Sequence, residues 1–472
     1  MIVLNEESQF PLYTQIYQQI KEQITDGELD EGSRLLSARL LAKTLNISRN
    51  TVDAAYLQLC SEGYIKSKPC SGFVVEKFDN AMFAELKTKK INRRENDMPV
   101  RAVDADDRTL NFQYGKLSIE DFPVRLWSKF SNQNMHDAAG LAAYGDRKGE
   151  LELRVEVMKY LNKSRGVHCR AEQVIICSGT QPCLSLLCQL FRKDHSAIAI
   201  EDPGYDGARC VFINHGYNVQ PIGVTPDGLD IRQLDESMAK LVYITPSHQF
   251  PMGFVTPIQK RVELLEWASR RDGFIIEDDY DSELRYSGRP IPSLQCIDTA
   301  GHVIYIGTFS KAFSPALRVS YMVLPEILLN RYEDIFGKYN SPVPWLQQKN
   351  LANFMISGQW ESHIRKMCLS CKKRHDLLLS LIHSEFGEKV TIHGRNAGLH
   401  VILEVHTNMQ ENELISRAQG SGVRVYPVSQ YWMRPNIYSD NMILLGFSSL
   451  SESDITDGIH RLSQVWFDAG QV

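Results

Sequence analysis

The sequence predicts a multidomain chain. A small, mostly helical unit closes in a hairpin, a large α/β unit follows on a mostly parallel sheet, and a small α+β unit ends the chain. Three observations lead to this. Helical periods fill the first sixty or so residues and stop at two short strand-like runs. Beyond about Leu110, short fully apolar runs alternate with helical stretches, the pattern of a parallel sheet covered on both faces. From Pro325 to about Phe386 the pattern is helical, and the runs Gly398–Glu404 and Met442–Ser448 come after it. At 472 residues there is room for two or three domains.

In the first unit, Pro11-Leu12 opens a helix with apolar residues at Leu12, Ile16, Ile20 and Ile24, and Gly27 and Gly32 end it. Ser37 caps a second helix that runs through Leu45, and Asn46-Ile-Ser is a tight turn. Ser48 caps a third helix, Arg49 to Glu62, which Gly63 stops. The strands Tyr64–Lys68 and Gly72–Glu76 complete a winged helix-turn-helix over residues 1–76. Bases gather between Arg34 and Lys68 (Arg34, Arg39, Lys43, Arg49, Lys66, Lys68), against only Asp53 and Glu62. The acids Glu6, Glu7, Glu22, Asp26, Glu28, Asp30 and Glu31 precede them, so one side of the unit is suited to DNA. Ser48, Arg49, Asn50 and Thr51 open the third helix, the end that reads base edges.

Residues 77–108 lose all periodicity and read as a charged linker. Its basic run Lys87–Arg94 is either a solvated tether or a contact for DNA phosphates; Asp104–Asp107 is acidic. The remainder, 109–472, divides into a large part over about 109–340 and a small part over about 385–472. Expected strands are Val174–Cys177, Ser196–Ile200, Leu241–Thr245, Gly273–Glu277, Val303–Ile306 and Val319–Leu324. In such a sheet, ligands gather where the strands end.

The net charge of -5 excludes a uniformly basic coat, so contact with nucleic acid must be local. No apolar run is long enough to span a bilayer and no leader-like segment is evident, so a cytoplasmic protein with no membrane partner is expected. The ten cysteines are scattered and read mostly as reduced core thiols. Cys368-Leu-Ser-Cys371 reads as one turn of a long helix, with metal or redox use the lesser alternative.

The stretch with the most chemistry is Tyr305–Arg318. Lys311 follows a buried strand, where desolvation lowers its pKa and suits it to a Schiff base. Thr308 and Ser310 flank it with hydroxyls, and Arg318 offers a fork of donors for a phosphate. Taken alone, the stretch also fits a surface lysine in a turn. Ser178-Gly-Thr-Gln181 lies between a strand and a helix, so Gly179, Thr180 and Gln181 form a helix N-terminus suited to phosphate. Glu277-Asp-Asp-Tyr280 closes another strand.

Two resemblances follow from these residues. The run Pro11–Ile16, Gly32–Leu35, Ser48–Val52, Glu62–Ile65 and Ser71–Val74 resembles the GntR-type DNA-binding domain. That resemblance implies contacts with double-stranded operator DNA from Arg34, Ser37, Arg39 and Arg49, and close approach of the wing at Gly72. Leu36, Cys70 and Asp53 depart from the family pattern. The Lys311 segment resembles that of fold-type I aminotransferases, which implies pyridoxal 5'-phosphate on Lys311. It further implies Asp278 (with Asp279 as the competing choice) at the pyridine nitrogen and Tyr280 at the ring hydroxyl, about thirty residues before the lysine. Glu201-Asp-Pro-Gly-Tyr205 and Thr245–Gly253 resemble segments of MocR regulators, in which a GntR domain is fused to an aminotransferase-like domain. Phe250 stands where many aminotransferases have asparagine.

The MocR resemblance implies Tyr205 stacked on the ring, Arg209 and Arg434 as clamps for an effector carboxylate, and a homodimer in which the Tyr144–Gly149 loop reaches the partner. The expected function is a regulator whose DNA binding responds to an amine, an amino acid or pyridoxal phosphate itself. A working aminotransferase carrying a DNA-binding module, and a DNA-binding protein that never holds the cofactor, are the alternatives.

Overall fold

The computed structural model describes residues 2–5, 8, 10–68, 72–77, 109–192, 194–286, 291–434 and 439–468. Two compact units divide the chain, Met1–Ala105 and Asp106–Val472. The expected linker, including Lys87–Arg94 and Asp104–Asp107, lies outside the described residues beyond Lys77, and so does Cys70.

In the first unit, α1 (Leu12–Thr25) buries Ile16, Tyr17, Ile20 and Ile24, one helical face, against α3 (Arg49–Ser61), which buries Val52, Ala55, Tyr56 and Leu59. Between them, α2 (Ala38–Leu45) starts at Ser37, whose hydroxyl accepts from the Leu40 N–H at 3.2 Å. Asn46, left-handed at φ 54°, ends it. Ser48 caps α3 in the same way, accepting from the Thr51 N–H at 3.2 Å. The wing pairs β1 (Ile65–Lys68) with β2 (Gly72–Val75) antiparallel, Ile65 facing Val75. Residues 32–35 add a further edge: Leu35 N–H donates to Phe73 O at 2.9 Å and Gly32 N–H to Val75 O at 3.0 Å. That edge is invisible in the sequence, because Gly-Ser-Arg-Leu is too short and polar to read as a strand.

The second unit is built on an eight-stranded sheet. Its strands, after β3 (Leu110–Asn111), are β4 (Val174–Cys177), β5 (Ala197–Asp202), β6 (Asn218–Thr225), β7 (Gly228–Leu229), β8 (Leu241–Ile244), β9 (Phe274–Asp279), β10 (Val303–Thr308) and β11 (Ser320–Val323). The order is β4-β11-β10-β9-β8-β5-β6-β7, with β10, β9, β8, β5 and β6 pairing in parallel. Strand β11 runs antiparallel to both its neighbours, so β4 again points with the parallel set. Helices cover both faces and fill separate cores, one around Leu184, Phe191 and Phe212, another around Trp267 and Leu264. Strand β6, with Pro221 and half-exposed residues, lacked the continuous apolar run by which its neighbours were recognised.

A second, antiparallel sheet joins β12 (Val390–His393), β13 (His400–Val405), β16 (Met442–Gly446) and β15 (Tyr426–Pro427). The 28-residue helix Gln359–Phe386 serves both parts: Trp360 packs in a core of the large part, while Leu378, Ile382 and Phe386 pack under the small sheet. One boundary differs from expectation. Strand β3 pairs with β14 (Val423–Arg424), and Phe112 is buried in the small part's core, so the chain begins this unit on the small part. Periodicity could not show this, because the pairing spans more than three hundred residues.

Removing the Ser48 hydroxyl leaves the Thr51 N–H without its cap. Ser48→Ala should lower the stability of the first unit by about 1 kcal/mol, read as a lower urea midpoint with unchanged slope.

Candidate functional site

Strands β4, β5, β8, β9 and β10 end on one edge of the sheet, and a cavity of about 170 Å³ opens there. The loop after each strand supplies part of it. Thr180 and Gln181 come after β4, Tyr205 after β5, Tyr243 and Thr245 from the end of β8, Asp278 and Tyr280 from β9, and Thr308, Ser310 and Lys311 from β10. Arg318, held left-handed at φ 51° just before β11, completes the set.

Asp278 lies on the cavity floor with its carboxylate buried. Its Oδ2 accepts from the Tyr243 hydroxyl at 2.6 Å, while Oδ1 has no partner. Burial pushes the carboxyl up to about 7. The Tyr243 hydrogen bond opposes the shift, and the Asp279 and Asp281 carboxylates add to it. Lys311 moves the other way. Burial brings its amine down to about 8, against the pull of Asp281 and Asp278 and with help from Arg318. Its Nζ stands 4.0 Å from the centre of the Tyr114 ring. Gly115 has φ +80°, a conformation that favours glycine, and a methyl there would also displace the Lys311 amine.

Asp279, the alternative to Asp278, points away from the cavity. Its Oδ2 accepts from Arg165 Nε at 2.7 Å and from the Tyr305 hydroxyl at 2.6 Å, in a fully buried ion pair. Successive residues of a strand face opposite sides, so Asp278 and Asp279 point to different faces of the sheet.

At the other end of the cavity, Gly179 precedes the helix Thr180–Phe191 with φ 122°. A side chain there would collide with the Arg318 guanidinium, so the glycine lets arginine and helix N-terminus converge. Ser310 N–H donates to Thr308 Oγ1 at 3.1 Å, and Ser320 Oγ donates to the same oxygen at 2.7 Å, which fixes the loop that carries Lys311. The Gln181 side chain reaches the Tyr205 hydroxyl.

Two expected residues are elsewhere. Arg209 and Arg434 do not line the cavity. Arg209 donates to Gln430 O at 2.8 Å and Trp432 O at 3.2 Å; Arg434 donates to Pro221 O and, at 3.4 Å, to Gln233 Oε1. Their guanidinium groups engage backbone carbonyls at the seam of the two parts. Conversely, the sequence reading did not single out Tyr114, Tyr243 or Thr245. Tyr243 had one available signal: two residues out of register from Asp278 on a neighbouring parallel strand, it shares that residue's face. Tyr114 had none, since it arrives from the start of the unit.

Tyr144 is 86% exposed in its loop. On the first unit, Arg34, Ser37, Arg39, Ser48, Arg49, Asn50 and Gly72 are exposed and Thr51 is half-buried. Arg49 Nε lies 3.2 Å from Asp53 Oδ2, one turn along α3. Among the described residues no helix is long and apolar enough to cross a membrane.

Residues 12–75 match the family model described as bacterial regulatory proteins of the gntR family, and residues 110–441 match aminotransferase class I and II. The chain is 42% identical to a Bacillus subtilis protein named uncharacterized HTH-type transcriptional regulator YdeL, over 98% of both chains. It is 30% identical to the Rhizobium meliloti protein named probable rhizopine catabolism regulatory protein MocR, over 98% of this chain and 95% of the relative. The chain belongs to the MocR-type transcription regulators. Among solved structures, the multiple substrate aminotransferase from Thermococcus profundus superposes with a TM-score of 0.69 at 26% identity, covering 76% of this chain and 92% of the other. In a MocR-type regulator, then, a GntR-type DNA-binding domain precedes an aminotransferase-like domain, and the aminotransferase family is pyridoxal-phosphate-dependent.

The cavity fits that cofactor on two counts. Asp278 Oδ1 is a buried acceptor in need of a donor, and the space left by Gly179 between Arg318 and a helix N-terminus suits a phosphate. Gly179→Ala should push Arg318 out of that space and weaken pyridoxal phosphate binding by about tenfold or more, roughly one charge-assisted hydrogen bond, measured by equilibrium dialysis.

Proposed function

We propose that this regulator holds pyridoxal phosphate in the cavity around Lys311, and that an amine, an amino acid or the cofactor itself governs DNA binding through it. The unpartnered Oδ1 of Asp278, buried in the same cavity as a neutralisable lysine and the Arg318 donors, carries the reading. When bound, the cofactor supplies an electron-withdrawing ring and an aldehyde that reacts with primary amines. The protein's own groups have separate tasks. Asp278 holds a proton at the pyridine nitrogen. Thr180, Ser310, Arg318 and the N–H groups that follow Gly179 take the phosphate, and Thr308 braces their loop. Tyr205 packs beside the ring and Tyr280 meets its hydroxyl. Lys311, with its pKa brought down to about 8, has roughly a tenth of its amine free at neutral pH, far more than an ordinary lysine.

The N-terminal unit reads operator DNA, with Arg49, Asn50 and Thr51 at base edges and Arg34, Arg39 and the Gly72 wing at the backbone. The exposed Tyr144 loop supports a homodimer that presents two such units to paired half-sites, in the cytoplasm where the chromosome lies. An effector acts by binding two conformations unequally. Steady release of a keto acid from an added amino donor, with DNA affinity unmoved, would replace this reading with that of a working aminotransferase.

Two outcomes test it. The free amine is the form of Lys311 that reacts, so pyridoxal phosphate uptake should accelerate as pH rises through about 8 and level off above, well below an ordinary lysine. Stopped-flow absorbance reads this, and Lys311→Ala should lack the visible band while keeping its fold. Arg49→Ala should weaken binding to duplexes selected from a random library by the wild-type protein by about 1–3 kcal/mol and relax the base preference at one position of the site, with the cofactor band unchanged.

A further inference from the structure

His248 and Asp281 lie behind the cavity wall and have no task in the scheme above. His248 Nδ1 is 2.8 Å from Asp281 Oδ2 and 3.1 Å from the Tyr280 hydroxyl, and all three residues are buried. One ring nitrogen cannot donate to the carboxylate and accept from the phenol at once. A carboxylate only accepts, so the hydrogen sits on Nδ1 and points at Asp281. Nε2 has no hydrogen-bond partner, so the ring is held through Nδ1. Tyr280 oxygen can therefore only accept from the edge of that N–H. Its own hydrogen is left for the cavity, which Tyr280 lines.

Little room remains for another arrangement. A side chain on Gly398 would collide with the imidazole, and one on Gly253 would come within 3.1 Å of Nε2, so the ring is clasped between two glycine-bearing segments. The second histidine nearby, His400, has its ring centre 6.0 Å from that of His248 and is engaged with Pro251 O at 2.8 Å. The titratable groups that bear on the Tyr280 hydroxyl without touching it are Asp281, Tyr114, Asp278 and Glu201. Among the described residues, His248 makes the direct contact.

We infer that His248, oriented by Asp281, is a positioning residue that fixes Tyr280 as a hydrogen-bond donor to whatever occupies the cavity. The inference rests on the reading of the cavity as the pyridoxal phosphate site. It gives the Asp281–His248 pair a part in recognition although neither residue lines the cavity.

The test uses full-length protein reconstituted with pyridoxal phosphate and four variants: Tyr280→Phe, His248→Leu, His248→Asn and the double Tyr280→Phe/His248→Leu. Cofactor affinity and the pH midpoint of the visible band are measured for each, with a thermal melt as the check on folding. His248→Leu should weaken affinity by about tenfold and move the midpoint in the same direction as Tyr280→Phe. The double variant should lose little more than either single one, since both break one unit. His248→Asn places an amide N–H near the position of Nδ1 and should restore most of the loss.

A His248→Leu protein that binds and titrates like wild type, while Tyr280→Phe shifts both readouts, overturns the inference and leaves the cofactor site standing. Equal loss in the Leu and Asn variants also overturns it, because packing alone would then account for the effect. If Tyr280→Phe changes neither readout, Tyr280 is not at the cofactor and the inference falls with that placement. If wild-type protein takes up no cofactor, the functional reading itself fails. Should His248→Leu not fold, Asp281→Ala takes its place. That change removes the acceptor that holds the hydrogen on Nδ1 and frees that nitrogen to take the Tyr280 hydrogen away from the cavity, with the same expected loss.

Discussion

Burying a carboxylate with one oxygen unpartnered is costly, and the large part of this protein is arranged so that the cost falls at one point. Asp278 stands near the carboxyl end of a central strand, still paired with Ile306 of β10 but one residue past the last pair with β8, where the parallel sheet opens. Desolvation raises the acid toward neutrality and lowers Lys311 toward the same range from above. Neither group is then locked in its usual charge state. A ligand bearing a ring N–H for Asp278 and an electrophilic carbon for Lys311 relieves both at once, whereas water in a confined cleft relieves neither as well. Two shifts of opposite sign in one cavity mark a binding site more firmly than either alone.

The neighbouring Asp279 shows how the same chemistry is kept structural. One residue along, the pleat turns its carboxylate to the other side of the sheet, where Arg165 and Tyr305 satisfy it. Arg165 in turn donates to Ser247 Oγ at 2.9 Å and to Ile291 O, so the ion pair ties the strand end to the two loops that border it. A buried pair of this kind adds little net stability, since desolvation offsets most of its attraction. Its effect is geometric: with Asp279 anchored, Asp278 has a single orientation left.

Whatever depended on local pattern could be read from the sequence. Ser37 and Ser48 announce helices because a hydroxyl before an apolar period satisfies N–H groups that otherwise have no acceptor. The central strands announce themselves because burial on both faces forces continuous apolar runs. Lys311, Asp278 and Thr180 could be found because each follows such a run. The rest depends on contacts between distant segments. Tyr114 reaches Lys311 from nearly two hundred residues away, and β3 pairs across most of the unit. The backbone contacts of Arg209 and Arg434 were not legible for the same reason, since their carbonyl partners, Gln430 and Pro221, lie more than two hundred residues away in the chain.

The cavity also sits where the two parts of the second unit meet. Phe250, Met252 and Tyr280 from the large part pack in one cluster with Ile402, Val428, Tyr431, Met442 and Leu444 from the small part. Gly204 N–H donates to Tyr431 O at 3.0 Å, and Met433 N–H to Asp202 Oδ1 at 2.7 Å, across the same seam. A ligand moves a conformational equilibrium only by the difference in its affinity for the two states. In this unit, such a difference can arise at side chains that both line the cavity and pack on the opposite part, as Phe250 and Tyr280 do. An occupant that presses on either ring must be accommodated by the seam, because a close-packed cluster does not deform smoothly. On the proposed reading, this cluster is where the occupant of the cavity would bear on the small part's position, and such a dependence is the property a sensor needs and a plain binding pocket does not.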